Sequence, residues 1–275
     1  VSRSRDSKPT VRKAALNLLE QVLYLCDDVD ARSLQTITSA SHDAFVSVRK
    51  QAVVSANALF ANFNDKKHVC RMWLQVILPL SLDTEISVQT RCKESFEREF
   101  LSTISSGKGK AFVTLLASES NFALLLRKVM SMTKLSRSQL SKVVRVLQEE
   151  ISSSDEPKDE TGYWIILSEA VAKFPSLLGK DFIDASLKSL DKYIPEPRTL
   201  ARVMQTLSYS AKCLSLEFCI ETCKLLADKL GSFSIPIDAV SHCLVALNEL
   251  SKASHSSGEL EKETFLSGVA ESAEE

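Results

Sequence analysis

Apolar residues recur in steps of four along the first hundred positions of the chain. Val11, Ala15, Leu19 and Leu23 form one set, Val48, Ala52, Ala56 and Phe60 a second, and Val88, Cys92, Phe96 and Phe100 a third. That spacing lays each set along one face of a helix, with Leu18, Val22 and Leu59 widening the band. The pattern predicts helices at about 9–26, 31–41, 45–62, 66–81 and 85–105, with further stripes through 111–118, 121–134 and 137–151. A polar stretch from Ser152 to Gly162 interrupts it. Helices are expected again at about 162–174, 180–193, 197–212, 215–230 and 236–252. Phe174-Pro175 and Ile194-Pro195-Glu196-Pro197 punctuate them, because a residue before proline resists the helical region. The tail from Ser254 to Glu275 reads as loop followed by an acidic helix carrying Leu260, Phe265, Leu266 and Val269.

The three stripes open on one phrase. Asp6, Val11, Arg12, Lys13 and Ala15 return 37 positions later as Asp43, Val48, Arg49, Lys50 and Ala52. A weaker copy follows after 40 more, with Asp83, Val88, Gln89 and Cys92. Self-similarity at this period marks helical pairs that stack into a solenoid. The turn Asp is expected to accept hydrogen bonds from the exposed N–H groups of the helix that follows, where its charge suits the positive helix end. Pro9 suits a first helical turn. The arginine six residues after each Asp is expected to bond the Asp of its own or a neighbouring repeat. Asp6, Arg12, Asp43, Arg49 and Asp83 would then form a ladder, weakening or ending at Gln89.

Composition adds little to the fold class. A 44% hydrophobic and 25% charged chain with seven glycines and four tyrosines fits a helical, water-soluble protein. Its seven cysteines show no framework spacing and read as reduced, intracellular thiols. The most apolar run, Trp73 to Leu82, is interrupted and far too short to span a bilayer. No initiator Met, signal or transit sequence is evident, and the chain opens inside a repeat, as a part of a longer protein would. The net charge of −1 conceals an asymmetry. Residues 1–150 hold 22 Lys+Arg against 15 Asp+Glu, or +7, whereas 151–275 hold 12 against 20, or −8. Three segments are expected: a basic repeat array over 1–151, an acidic linker over 152–162, and degenerate repeats with an acidic tail over 163–275. The linker serines are candidate phosphorylation sites, although such loops are commonly just solvated.

Catalytic chemistry finds little footing. His42, His68, His242 and His255 are scattered, and no metalloprotease, nucleophile-elbow or paired-carboxylate motif occurs. Gly107-Lys108-Gly109-Lys110 lacks the spacing and the preceding strand of a phosphate loop and reads as an inter-repeat turn. Cys219 and Cys223 with His242 or Cys243 are the one arrangement that suggests a metal-dependent enzyme, but structural zinc favours tighter cysteine pairs. No catalytic residue, metal, cofactor or small-molecule substrate is assigned. The basic residues matter more. Arg12, Lys13, Arg49 and Lys50, with Lys66, Lys67 and Arg71, are candidate contacts for a duplex DNA backbone. An arrangement in which the arginines bind Asp6 and Asp43 and the lysines only solubilise fits the sequence equally well. No aromatic platform interleaves these charges, which disfavours single-strand or sequence-specific reading.

The phrase Asp…Val-Arg-Lys-x-Ala resembles the HEAT repeat, with its turn Asp and its Val-Arg opening the second helix of each pair. Taken in order, Asp6 to Leu19, Asp43 to Ala52, Trp73 to Pro79, Asp83 to Phe100, Gly162 to Ser168 and Val240 to Leu250 resemble the D-three HEAT subunits of condensin II. That resemblance implies an all-α HEAT-type solenoid and a non-catalytic regulatory scaffold for mitotic chromosome condensation. It implies a location on chromosomes in the nucleus, with the condensin II kleisin, the SMC subunits and duplex DNA as partners and no membrane. The alternative within the same fold is a HEAT adaptor for nuclear transport or phosphatase scaffolding.

Overall fold

The computed structural model describes residues 2–26, 29–153, 160–192 and 194–256. Most of the expected linker at 152–162 and the expected tail helix with Leu260, Phe265, Leu266 and Val269 lie outside the described residues. Every other expected helix is present, and among the described residues there is no strand. The chain divides into two compact units, Val1–Gln139 and Leu140–Glu275.

In the first unit, α1 (Pro9–Leu23), α3 (Val46–Phe63) and α5 (Ile86–Ser95) stack side by side as one layer. Beside them α2 (Ala31–Ala40) and α4 (Lys67–Leu80) form the second layer. Pro9 occupies the first turn of α1, where a missing N–H leaves no intrahelical bond unmade. Asp30 caps α2 by accepting from the Ser33 N–H at 2.9 Å. Beyond α5 the helix continues through a π turn (Phe96–Leu101) into α6 (Ser102–Ser105). The stop comes at Gly107, whose φ of 73° favours glycine, and at Gly109, where a Cβ would collide with Ile104. Gly107-Lys108-Gly109-Lys110 is thus a helix terminator. Next, α7 (Lys110–Ser118) and α8 (Ser120–Met132) pack against α4.

The core of this unit is aromatic at its centre. Phe112 lies 5.3 Å from Phe60, 5.5 Å from Trp73 and 5.0 Å from Phe100, ring centre to ring centre. All four side chains are fully buried. They come from α3, α4, the π turn and α7, so one cluster binds three successive repeats together. Val48, Ala52, Ala56, Phe60, Val88, Cys92, Phe96 and Phe100 all lie inside, as their spacing requires. The stripe of α1 departs from expectation. Leu16 and Leu23 are its buried residues, while Leu18 is 62% and Val22 49% exposed. Among the described residues only one flank of α1 is covered by another long helix, α3, and the residues turned away from it meet water.

The second unit begins inside α9 (Arg137–Ser153), which buries Leu140, Val143, Val144 and Leu147. There α10 (Glu160–Lys173), α12 (Pro197–Ser210) and α14 (Ile237–Ser256) stack as α1, α3 and α5 do. Trp164, Ile165, Leu167, Ala170 and Val171 are buried on α10. α11 (Lys180–Lys192) lies over α10, with Phe182 5.6 Å from Trp164, and α13 (Leu216–Gly231) packs on α14. Ser215 caps α13 through the Phe218 N–H.

Replacing Phe112 by Ala removes the shared ring of the first unit and is expected to destabilise it by about 3–5 kcal/mol. Urea unfolding followed by Trp73 fluorescence in a Trp164→Phe background measures this. A loss below about 1 kcal/mol would show that the cluster does not join the repeats.

Candidate functional site

Each turn before α1, α3 and α5 is shaped by its Asp. Asp6 Oδ1 accepts from the Lys8 N–H at 2.9 Å, Asp43 Oδ1 from Phe45 at 2.9 Å, and Asp83 Oδ1 from Glu85 at 2.8 Å. Lys8, Phe45 and Glu85 are themselves the N-cap residues. The carboxylate therefore closes an Asx turn two residues upstream of the cap and does not bond the first-turn N–H groups of the helix. That position leaves the outer lone pairs for the previous repeat.

The arginines fill them. Arg12 donates to Asp43 through Nε at 2.7 Å and Nη2 at 2.8 Å, and Arg49 donates to Asp83 through the same atoms at 2.7 and 2.9 Å. Both pairs are two-pronged, the geometry that a planar guanidinium shares with a carboxylate. The remaining prong turns inward to its own repeat. Arg12 Nη1 donates to the Asp6 and Ser7 carbonyls at 2.8 and 3.0 Å, and Arg49 Nη1 to the Asp43 and Ala44 carbonyls at 2.9 and 3.2 Å. Each arginine thus joins the turn of its own repeat to the turn of the next. Gln89 donates to the Asp83 carbonyl and keeps only the inward bond.

Three of the four ladder side chains are 12–13% exposed and Asp83 is 6% exposed. The Arg12 hydrogen bond is the largest influence on Asp43 and holds it below the usual carboxylate range. Burial acts most strongly on Asp83 and pushes upward, but the Arg49 and Glu85 bonds with Arg49's charge leave it lowered. Arg12 is raised, chiefly by its bond to Asp43. At the first turn Asp6 meets Arg3 at 3.4 Å, and Arg3 is 78% exposed.

A second set of polar contacts crosses between repeats without any signal in the Asp…Arg phrase. Ser55 donates to Glu20 at 2.9 Å, and Asn57 donates to Ser95 at 2.7 Å while accepting from Trp73 Nε1 at 2.9 Å. In the second unit Thr161 meets Thr199, and Arg202 lies 3.5 Å from Glu169. Arg202 also donates to Gln205 at 2.8 Å, and Gln205 to Tyr209 at 2.8 Å. These cross-repeat partners are 33–38 positions apart, close to the repeat length. A search for polar pairs at that offset on the stacked layer is the signal that would have found them.

The structure divides the candidate DNA contacts. Arg12 and Arg49 commit their guanidinium groups to the ladder, and Arg71 pairs with Glu119 at 2.8 Å. Each of these three guanidinium groups already faces a carboxylate, Arg12 and Arg49 nearly buried and Arg71 48% exposed. Lys13 is exposed and Lys50 half-buried at the N-terminal ends of neighbouring helices. Lys66 and Lys67 stand beyond the far end of α3, which ends about 20 Å from Lys50 along the helix axis. The lysines therefore mark two edges of the repeat array where one ridge was expected.

The cysteine arrangement does not gather around an ion. His242 is exposed while its neighbour Cys243 is buried, so they leave α14 on different sides. Burial pushes the Cys223 thiol up to about 12 and the Cys243 thiol to about 11. Among the described residues no three His, Cys, Asp or Glu side chains come together as a metal site.

The helix layers and Asp–Arg turns define a HEAT-type all-α solenoid protein. A C-terminal fragment of the cohesin loader SCC2 from Chaetomium thermophilum shares this fold, with a TM-score of 0.77 over 92% of this chain and 20% of that one at 18% identity. In sequence, the chain is 26% identical over 265 residues to condensin-2 complex subunit D3-L of Xenopus laevis, covering 91% of this chain and 17% of that protein. It is 31% identical over 100 residues to condensin-2 complex subunit CAP-D3 of Arabidopsis thaliana, or 36% of this chain and 8% of that one. No family model matches the chain. The chain folds as a HEAT-type solenoid and resembles the D3 subunits of condensin II, and it spans less than a fifth of the length of those relatives.

Because Asp43 and Asp83 titrate below their ordinary range, the unfolded chain binds more protons than the folded one as pH falls through that range. Stability from the ladder is complete above about pH 4 and is lost as pH drops through the depressed folded values. Thermal midpoints between pH 7 and pH 2.5 should fall more steeply for the natural chain than for Asp43→Asn/Asp83→Asn. Parallel curves would show that the ladder carries none of the acid sensitivity.

Proposed function

We propose that the chain is a non-catalytic scaffold segment of a condensin II-type complex, acting on chromosomes in the nucleus. The observation that carries this reading is the likeness to a condensin-2 D3 subunit along 91% of the chain. In this reading the segment 1–151 faces duplex DNA, the polar stretch 152–162 links the halves, and 163–275 serves the protein side of the complex. The charge supports that division, since the net +7 lies in residues 1–150 and the net −8 in the remainder. The kleisin joins the array as an extended segment, and the SMC subunits supply the complex's ATPase.

Lys13 and Lys50 are the DNA contacts on the ladder edge. Rigid side-by-side helices hold them about 10 Å apart, the usual spacing of packed helices, with the ladder fixing the register between them. Lys66 and Lys67 form a second contact on the opposite edge. The arginines act indirectly, by setting where the lysines stand.

Pull-down with the condensin II kleisin, with and without duplex DNA, tests the assembly; no retention in either condition contradicts it. A mobility-shift titration in salt tests the DNA edge. Lys13→Glu/Lys50→Glu should reduce the log–log salt slope by about 1.8, or roughly 0.9 for each phosphate no longer neutralised. An unchanged low-salt shift would remove these two lysines from the interface, and Lys66→Glu/Lys67→Glu reads the opposite edge separately.

A further inference from the structure

The two units build their second layer differently. In the first, α2 packs directly against α4. In the second, α11 and α13 stand apart across a groove with about 560 Å³ of open volume. The gap does not come from a loosely seated helix. Phe182 of α11 rests on Trp164, and the space beneath it, lined by Ile183, Val203 and Leu207, amounts to only about 10 Å³.

The groove has a defined chemistry. Leu187, Phe218 and Leu225 line its apolar part, with Leu187 6% and Phe218 7% exposed. The α11 wall carries Lys180 and Lys188 with Asp184 between them, and the α13 wall carries Glu217 and Glu221. One wall is therefore net positive and the other net negative. Among the described residues no ion pair joins them across the groove. Opposite charges that face one another without closing leave donors and acceptors available for a third party.

We propose that this groove docks an extended segment of a partner protein, an inference that rests on the scaffold reading above and assigns its protein-binding side to one place. The segment places acidic side chains toward Lys180 and Lys188, apolar ones toward Leu187, Phe218 and Leu225, and basic ones toward Glu217 and Glu221. Dimensions favour an extended segment over a helix. From Lys180 to Lys188 the wall is about 12 Å long, and from Ser215 to Leu225 about 15 Å. A helix of that length, with its side chains, occupies on the order of 1,400 Å³ and would stand proud of the groove. A polyproline-II segment rises about 3.1 Å per residue and presents three faces, so four or five residues match both the length and the three linings. The glutamate wall disfavours a nucleic-acid backbone.

The probe is a fluorescein-labelled hexapeptide of two Asp-Leu-Lys triplets, titrated into the full chain and followed by anisotropy. Saturable binding is expected. Glu217→Lys/Glu221→Lys and Lys180→Glu/Lys188→Glu should each weaken it at least tenfold while the helical circular dichroism is retained, since these side chains line a surface groove. Replacing both leucines of the peptide by serine should weaken it similarly. No saturable binding, equal binding by all-acidic or all-basic hexapeptides, or insensitivity to both wall variants would overturn the proposal.

Discussion

The structure depends on one two-pronged contact, repeated at the pitch of the array. An arginine at the start of one stacked helix reaches the aspartate of the next turn, and its last prong closes back on its own turn. Apolar stripes alone would allow neighbouring helices to slide, because dispersion and burial are nearly indifferent to a shift of one helical turn. A bidentate guanidinium–carboxylate pair is not indifferent. It fixes axial register, and through it the position of every side chain on the exposed edges. Removing one partner would strand a poorly solvated charge, which gives the pair a larger role in specifying the stack than in stabilising it.

The same logic recurs where the phrase is absent. In the second unit the stacked layer is joined by Thr161 with Thr199 and by Glu169 with Arg202, continued through Gln205 and Tyr209. The chemistry of the rungs changes while their offset persists. A repeat can thus lose its motif and keep its place, provided some polar pair crosses to the next helix and the aromatic and aliphatic filling is continuous. The asymmetry falls on the other layer, where α2 packs on α4 while α11 and α13 flank a groove.

Legibility followed from how local each signal was. Helix positions, the stacking stripes of α3 and α5, and the Asp–Arg offset are carried by spacing and were readable. The exposure of Leu18 and Val22 was not, because it depends on which flank of α1 has a neighbour. The Asx turn was misplaced by two residues because an Asp before a helix looks the same whether it bonds the cap residue or the first turn. For the basic residues the sequence left two arrangements open, a phosphate-facing ridge or arginines bound to the turn carboxylates. Arg12, Arg49 and Arg71 are cations in composition but ladder or surface-pair members in space. Lys66 follows Lys50 closely in sequence, yet the last thirteen residues of the helix Val46–Phe63 lie between them. The groove between α11 and α13 has no counterpart in any linear motif.

In the scaffold reading proposed above, function resides in edges and grooves held in register. The central claim is therefore that Arg49 and Asp83 act as a unit that locks one repeat to the next. A double-mutant cycle of Arg49→Gln and Asp83→Asn, read by urea unfolding of the first unit, addresses it most directly. The account predicts a coupling of about 0.5–3 kcal/mol, with the second substitution costing much less once the first is made. Strictly additive effects would contradict it.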